Sequence, residues 1–118
     1  MKKYVSVLED DDSLRELFTV LLEEEDYLVS AYPTATSFIR SLEGQLPDLI
    51  ILDVRLPDGN GIEICAQIKA DLRTAHIPII LASAHTDFNN PHQTNKADSF
   101  INKPFDIQTL IDTVKLYA

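Results

Sequence analysis

The stretch Leu49-Ile50-Ile51-Leu52-Asp53 decides the fold of this chain. Four aliphatic residues in a row, with no polar residue between them, are typical of a central parallel strand that helices cover on both faces. A carboxylate follows directly, and residues 54–59 (Val-Arg-Leu-Pro-Asp-Gly) contain the proline and glycine of a turn. The stretch therefore predicts an α/β domain with an acidic side chain at the end of its most buried strand.

Strand and helix patterns alternate on both sides of this stretch. Apolar runs predict four more strands, at residues 4–8, 27–31, 77–82 and 100–101. Apolar residues at the spacing of an amphipathic helix lie between and after them: Leu14, Leu17, Phe18 and Leu21; Ala35, Phe38, Ile39 and Leu42; Ile64, Ile68 and Leu72; Ile107, Leu110, Ile111 and Val114. This series predicts a three-layer, doubly wound α/β fold with a five-stranded parallel sheet.

Length and charge exclude several classes of protein. The chain has 118 residues, and we expect residues 1–118 to form one domain. With 10 basic and 19 acidic residues, its net charge of −9 argues against direct binding of nucleic acid. No uninterrupted apolar run is longer than the four residues of 49–52, which is far too short to cross a membrane. A single cysteine, Cys65, fits a reducing compartment, so we expect the protein in the cytoplasm.

Carboxylates collect at one edge of the predicted sheet, because parallel strands end on the same side. Asp10 follows the first strand and Asp53 the third, and two neighbouring negative charges repel each other unless a cation lies between them. Mg²⁺ prefers oxygen ligands and suits such a pair. Alternatively, residues 10–12 only cap the first helix, with Ser13 and Glu16 as a capping box, and Asp53 is a solvated loop acid. Beside a metal, Asp53 could be a nucleophile toward a phosphoryl group.

Two more polar side chains follow strands at the same edge. Lys103 precedes Pro104, and an X-Pro bond in a tight turn can be cis, which fixes the direction of the side chain before it. Its ammonium group would stabilise phosphate oxygens at this edge, unless Lys103 is an ordinary surface lysine. Ser83 follows the fourth strand and either donates a hydrogen bond to the same oxygens or simply ends the strand.

Together these features resemble the receiver domain of two-component response regulators, over nearly the whole chain. Each feature is weak by itself, but five of them stand in the family's order. They are Val7-Leu8-Glu9-Asp10-Asp11, Leu49-Ile50-Ile51-Leu52-Asp53 with Leu56-Pro57-Asp58-Gly59-Asn60-Gly61, Ser83-Ala84, Ala97-Asp98-Ser99-Phe100, and Lys103-Pro104-Phe105. The resemblance implies a flavodoxin-like sheet with the strand order 2-1-3-4-5.

Carried over position by position, the resemblance implies that Asp53 is the phosphoacceptor. Mg²⁺, or Mn²⁺ in its place, would be bound by the side chains of Glu9, Asp10 and Asp53 and by the backbone carbonyl of Arg55. A histidine kinase or a small acyl phosphate would donate the phosphoryl group. Positioning and charge neutralisation by the metal and Lys103 would do most of the catalysis.

The resemblance also implies a conformational switch. Ser83 takes the place of the family's switch hydroxyl, Lys103 that of its lysine, and Phe100 that of the aromatic residue whose rotamer follows phosphorylation. A phosphoryl group on Asp53 would draw Ser83 inward through a charge-assisted hydrogen bond and vacate space for Phe100. Such a chain is a signalling domain that catalyses its own phosphorylation and dephosphorylation. Its expected partners are a sensor histidine kinase or phosphotransfer protein and a downstream effector, with neither nucleic acid nor membrane.

One segment departs from the family pattern. Residues 86–96 are short for this family and rich in turn and helix-breaking residues, so we expect the fourth helix to be short or irregular. Arg55 and His85 lie two residues after Asp53 and Ser83. We expect both side chains to shield the phosphoryl group and to alter its lifetime.

Three other functions fit parts of the same pattern. The first is an interaction module of the same fold that works without phosphorylation. The second is a magnesium-dependent phosphohydrolase, in which Asp10-Asp11-Asp12 would imitate a D-x-D nucleophile pair, although 118 residues leave no room for a substrate-selecting cap. The third is a flavodoxin-like electron carrier, against which stands the acidic segment after the first strand, where a flavin phosphate would be repelled.

Overall fold

A computed structural model describes residues 2–84 and 97–118 of the chain. Its strands are β1 (Tyr4–Leu8), β2 (Leu28–Tyr32), β3 (Leu49–Asp53), β4 (Arg55–Leu56), β5 (Gly59–Asn60), β6 (Ile79–Ala84) and β7 (Ser99–Lys103). Its helices are α1 (Asp12–Glu24), α2 (Ala35–Ser41), α3 (Gly61–Ala70) and α4 (Ile107–Tyr117). Five parallel strands form one sheet in the order β2-β1-β3-β6-β7, and β4 and β5 form a small antiparallel hairpin. The predicted fold class and strand order are confirmed.

Helices cover both faces of the sheet because successive residues of a strand point to opposite sides. On one face, Leu52 of β3 packs in a cluster with Phe38 of α2 and Ile64 of α3. On the other face, Ile51 packs with Phe18 of α1, and the same cluster includes residues of α4. Every residue of β3 is buried, as its unbroken aliphatic run predicts.

The start of α1 differs from the capping box that the alternative interpretation placed there. Asp11 is the N-cap, and its side chain accepts a hydrogen bond from the backbone N–H of Leu14 at 2.9 Å. Asp11 has an extended backbone, with φ −76° and ψ 119°, so the helix begins one residue later, at Asp12. Ser13 therefore lies inside the helix, so the capping box of Ser13 and Glu16 is wrong, while the cap does come from residues 10–12.

The predicted third helix is too long by two residues. It ends at Ala70 because Asp71 turns to an extended backbone, with φ −93° and ψ 122°. The hydroxyl of Thr74 then donates to the carbonyl oxygen of Ile68 at 2.8 Å and satisfies the end of the helix. Leu72, predicted to face the core, lies beyond that turn and is 97% exposed.

Strand ends and helix faces show smaller differences. β2 and β6 begin one and two residues later than predicted, and β7 extends over Ser99–Lys103 instead of residues 100–101. Leu17, Ile39 and Ile107 lie at the margins of the predicted apolar stripes and stay exposed. The predicted fourth helix and His85 lie outside the described residues. The Lys103–Pro104 peptide bond is cis.

No helix in the described ranges, 2–84 and 97–118, combines the length and the apolar character needed to cross a membrane.

The hairpin of β4 and β5 is hydrogen-bonded to the start of α2, whose N-cap residue is Thr34. Its turn residue Asp58 accepts hydrogen bonds from the backbone N–H groups of Ala35 and Thr36 at 2.8 and 3.0 Å. The Thr36 hydroxyl donates to the same carboxylate at 2.8 Å. These hydrogen bonds lower the pKa of Asp58, with the one from Ala35 contributing most.

We expect Asp58→Ala to lower the melting temperature at pH 7 by a few degrees, because α2 loses a capping carboxylate. A lowered pKa in the folded state means that the carboxylate stabilises the fold at neutral pH and that this contribution is lost as the pH falls. The difference between parent and variant should therefore shrink as the pH falls through the pKa of Asp58. Calorimetric melting curves at several pH values test this, and equal melting temperatures at pH 7 would contradict it.

Candidate functional site

The carboxyl ends of four neighbouring strands form one polar edge of the sheet. Glu9 and Asp10 follow β1, Asp53 ends β3, Ser83 lies near the end of β6, and Lys103 ends β7. The strand register aligns these ends, because Leu8 pairs with Leu52, Asp53 with Ala82, and Ala84 with Lys103. The structure thus brings together the acids and the lysine, which lie up to 94 residues apart in the sequence.

Three carboxylates at this edge form a possible cation site. Each of Glu9, Asp10 and Asp53 offers an oxygen, and these oxygens lie within 4.8 Å of one another. Glu9 and Asp53 are buried, at 1% and 5% exposure, while Asp10 is open to solvent. Three carboxylate oxygens with one open side suit Mg²⁺, which prefers oxygen ligands and keeps several of its waters. The donor set fits the predicted metal.

Lys103 supplies the positive charge among these acids. Its Nζ lies 2.6 Å from Oε1 of Glu9 and 3.2 Å from Oδ2 of Asp53. Burial acts to lower the pKa of Lys103, but the hydrogen bond to Glu9 and the charges of both acids outweigh it, so that its pKa is raised. The ammonium group therefore stays protonated at neutral pH and is held over both buried carboxylates.

The charge of Asp53 is only partly compensated by Lys103. Burial, followed by the negative charge of Glu9, raises the pKa of Asp53 to about 7, although Lys103 acts in the opposite direction. The single positive charge of Lys103 does not offset the two negative charges of the buried carboxylates of Glu9 and Asp53. A divalent cation at this position would add the positive charge that the site needs.

The backbone after Asp53 is held in place by a glycine. The N–H of Gly61 donates to the carbonyl oxygen of Val54 at 2.8 Å, and Asn60 caps α3 by accepting from Ile62 at 2.8 Å. A Cβ atom on Gly61 would collide with the carbonyl oxygen of Asp53 and lie 2.9 Å from its carbonyl carbon. Only glycine fits here, and its lack of a side chain lets α3 start directly against the carboxylate-bearing residue.

The predicted switch residues lie on one face of neighbouring strands. Phe100 pairs with Leu81 and Asn102 with Ser83, so Ser83 and Phe100 project from the same face two positions apart. Ser83 is 2% exposed, whereas Phe100 is 42% exposed. The described structure therefore has the serine buried beside the site and the aromatic ring partly in solvent.

Two other residues, Arg55 and His85, were predicted to act at the site. Arg55 lies in β4, two residues after Asp53, and its side chain is exposed. Its backbone carbonyl as a metal ligand stays a prediction. His85 lies outside the described residues.

One residue at this edge was missed by the sequence-based prediction. Arg15, in α1, folds back so that its Nη1 donates to the carbonyl oxygen of Glu9 at 3.1 Å. No sequence motif predicts this contact, because it depends on how the turn after β1 leads into α1.

Comparisons with known proteins agree on the family. Residues 5–115 match the family of response regulator receiver domains. The DNA-binding response regulator MtrA from Mycolicibacterium paratuberculosis is 32% identical over 117 residues, which cover 98% of this chain and 51% of that protein. The chain thus spans about half the length of the curated relatives it matches.

Solved structures show the same fold. A putative response regulator from Chloroflexus aurantiacus is 25% identical, with a TM-score of 0.92 and coverage of 99% of this chain and 98% of the other. The response regulator TrrA from Thermotoga maritima, solved in complex with Mg(2+)-BeF, is 26% identical, with a TM-score of 0.90 and full coverage of both chains.

These relatives correct the prediction about partners. That prediction combined a kinase or phosphotransfer protein and an effector with the exclusion of nucleic acid. The exclusion of nucleic acid is wrong, because the relatives include DNA-binding response regulators. The exclusion rested on the net charge of −9, which is the charge of these 118 residues alone. Since they match about half of each such relative, their charge carries no information about the other half.

Proposed function

Because this chain belongs to the family of response regulator receiver domains, we propose that it accepts a phosphoryl group from a histidine kinase on Asp53, with bound Mg²⁺. The observation that carries the proposal is the packing of Glu9, Asp10 and Asp53 around one point, with Lys103 against two of them. We propose that residues 1–118 act as this one domain. The cytoplasmic location stays a prediction that rests on the single cysteine.

The metal would be held by the carboxylates of Glu9, Asp10 and Asp53, together with the backbone carbonyl of Arg55. When bound, Mg²⁺ would neutralise charge on the phosphoryl oxygens and hold them in place. Support comes from the fit of the three carboxylates and from TrrA, a structural relative solved in complex with Mg(2+)-BeF. Mn²⁺ favours the same oxygen ligands and could take its place.

Asp53 would be the nucleophile of the transfer. One of its carboxylate oxygens forms a bond to phosphorus, while the bond from phosphorus to the leaving group breaks; with acetyl phosphate, acetate leaves. Lys103, already 3.2 Å from Asp53, would place its positive charge on the transferred phosphoryl group. Burial of Asp53 favours the reaction, because a carboxylate that water solvates poorly is a stronger nucleophile.

Intact mass spectrometry tests this proposal. The parent chain, incubated with Mg²⁺ and acetyl phosphate, should gain the mass of one phosphoryl group, and it should gain none with EDTA. Asp53→Asn should gain none in either condition, whereas Asp112→Asn, which changes an acid on α4, should behave like the parent. A parent chain that gains no mass and binds no beryllofluoride would overturn the proposal and favour an interaction module that works without phosphorylation.

We also propose that phosphorylation is coupled to Ser83 and Phe100. Ser83 would move toward the phosphoryl group and donate a hydrogen bond, and Phe100 would turn inward into the space that the serine leaves. The support is their common face, together with the present burial of Ser83 and the 42% exposure of Phe100. A half-exposed aromatic ring has surface left to bury, which favours the inward position once it is available.

Phe100→Trp provides a reporter for this switch, because the chain has no tryptophan of its own. With Mg²⁺ and beryllofluoride, we expect tryptophan emission to shift to shorter wavelength and acrylamide quenching to fall about twofold or more, as the ring loses about 40% exposure. Phe100→Trp combined with Asp53→Asn should not respond. Unchanged emission in a protein that demonstrably binds beryllofluoride would contradict the coupling.

The lifetime of the phosphoryl group is a further part of the proposal. We propose that the domain catalyses its own dephosphorylation and that the exposed Arg55 side chain slows it by shielding the phosphoryl group. A faster loss of phosphate from Arg55→Ala than from the parent would support the shielding role.

A further inference from the structure

Arg15 connects the first turn of α1 to the residues that carry the acidic pair. Its Nη1 donates to the carbonyl oxygens of Glu9 at 3.1 Å and of Asp10 at 3.5 Å. Its Nη2 pairs with Oδ1 of Asp12 at 2.6 Å. The Arg15 side chain is 22% exposed, so most of its length is packed against the protein.

The turn that Arg15 contacts is short. Only three residues separate the end of β1 at Leu8 from the start of α1 at Asp12. The N–H of Glu9 donates to the carbonyl oxygen of Tyr32 at 3.0 Å, and Oε2 of Glu9 accepts from the N–H of Asp11 at 3.2 Å. Arg15 holds Asp10 through its backbone carbonyl, while the side chain of Asp10 is exposed.

We propose that Arg15 is a positioning residue for the cation site: it fixes the backbone of Glu9 and Asp10 so that their carboxylates converge with Asp53. This inference rests on the proposed function, since it assigns a role toward the same metal. A planar guanidinium group suits the task, because one side can contact two carbonyl oxygens while the other pairs with Asp12.

Charge alone predicts the opposite effect from positioning, which makes the proposal testable. The Arg15 guanidinium is a positive charge close to a site for a positive ion. By Coulomb's law alone, its removal should strengthen binding of a divalent cation. If Arg15 acts by positioning, its removal should weaken binding, as loss of groups that orient metal ligands usually does.

The experiment measures Mn²⁺ affinity of the unphosphorylated protein by electron paramagnetic resonance. We expect Arg15→Gln and Arg15→Lys to bind Mn²⁺ about tenfold more weakly than the parent, with unchanged circular dichroism spectra. Arg15→Lys keeps the charge but loses the planar fork, and lysine is a good helix former, so this variant should fold. Lys115→Gln, which removes a positive charge paired with Glu25 at the far end of α1, should bind like the parent.

The possible results separate the two proposals. Tighter or unchanged binding by Arg15→Gln, or parental affinity in Arg15→Lys, would overturn the positioning role while leaving the proposed function intact. A parent that binds Mn²⁺ no better than Asp53→Asn would instead contradict the metal site itself. Weaker binding by both Arg15 variants, with parental affinity in Lys115→Gln, would support the inference.

Discussion

Replacing Asp53 with asparagine is expected to raise the melting temperature of the metal-free protein at pH 8. Asp53 is 5% exposed, lies beside the buried Glu9, and shares one ammonium group with it. Its pKa is raised to about 7 by burial first and by Glu9 second. An ionised Asp53 therefore costs folding free energy at pH 8, and a neutral asparagine of similar shape avoids that cost.

The dependence on pH follows from the direction of the raised pKa. Between the usual pKa of an aspartate, about 4, and the folded value of about 7, the folded state binds a proton that the unfolded state has lost. Stability from this group is thus fully present below pH 4 and is lost as the pH rises to 7. The corresponding free energy is at most about 4 kcal/mol. The Asp53→Asn variant should not lose this stability as the pH rises, because asparagine does not ionise.

Melting curves of parent and Asp53→Asn, in EDTA and in Mg²⁺, measure this effect. In EDTA at pH 8, we expect the variant to melt roughly 5–10 °C higher, and at pH 5 we expect a much smaller difference. Mg²⁺ should raise the melting temperature of the parent more than that of the variant, because binding to the folded state stabilises it. A variant that melts below the parent in EDTA at pH 8 would contradict the charge balance described for the site.

Gly61→Ala is expected to be the most damaging small substitution near the site. A Cβ at this position would collide with the carbonyl oxygen of Asp53 and approach the Cα of Val54 to 3.0 Å. Both neighbours are backbone atoms in or directly after a buried strand, so no flexible side chain can move aside. Relief of the clash would require α3 to shift away from Asp53.

We expect Gly61→Ala to lower stability by about 3 kcal/mol, at the upper end for overpacking, and to slow phosphorylation by acetyl phosphate. Gly44→Ala is the matched control, because a Cβ there meets only the carbonyl oxygen of Ser41 at an ordinary 3.7 Å. Its melting temperature should stay near that of the parent. Urea titrations and phosphorylation rates measure both effects, and parental stability of Gly61→Ala would show that the backbone after Asp53 can move.

Much of the fold was predictable because its signals are local. The aliphatic run Leu49–Leu52 forms the central, fully buried strand, and the positions of Glu9, Asp53 and Lys103 at strand ends follow once the sheet is parallel. Parallel order places the strand ends on one edge, whatever the details of the helices. This explains why the acids and the lysine could be grouped from the sequence.

The errors have physical causes that local patterns do not contain. Leu72 continues the helical spacing, but the extended backbone of Asp71 ends the helix before it. The cap of α1 is Asp11 and not Ser13, because the length of the turn after β1 decides which residue meets the first free N–H groups. Gly61 and Arg15 act through contacts with backbone atoms of other segments, and such contacts become visible only in three dimensions.

The most direct test of the central claim is to locate the phosphoryl group on the chain. Borohydride reduces an aspartyl phosphate to homoserine, so the protein treated with Mg²⁺ and acetyl phosphate can be reduced, digested and mapped by mass spectrometry. We predict homoserine at position 53, lost when Mg²⁺ is replaced by EDTA. A phosphorylated protein in which Asp53 is unchanged and another side chain carries the phosphate would contradict the assignment of Asp53 as the phosphoacceptor.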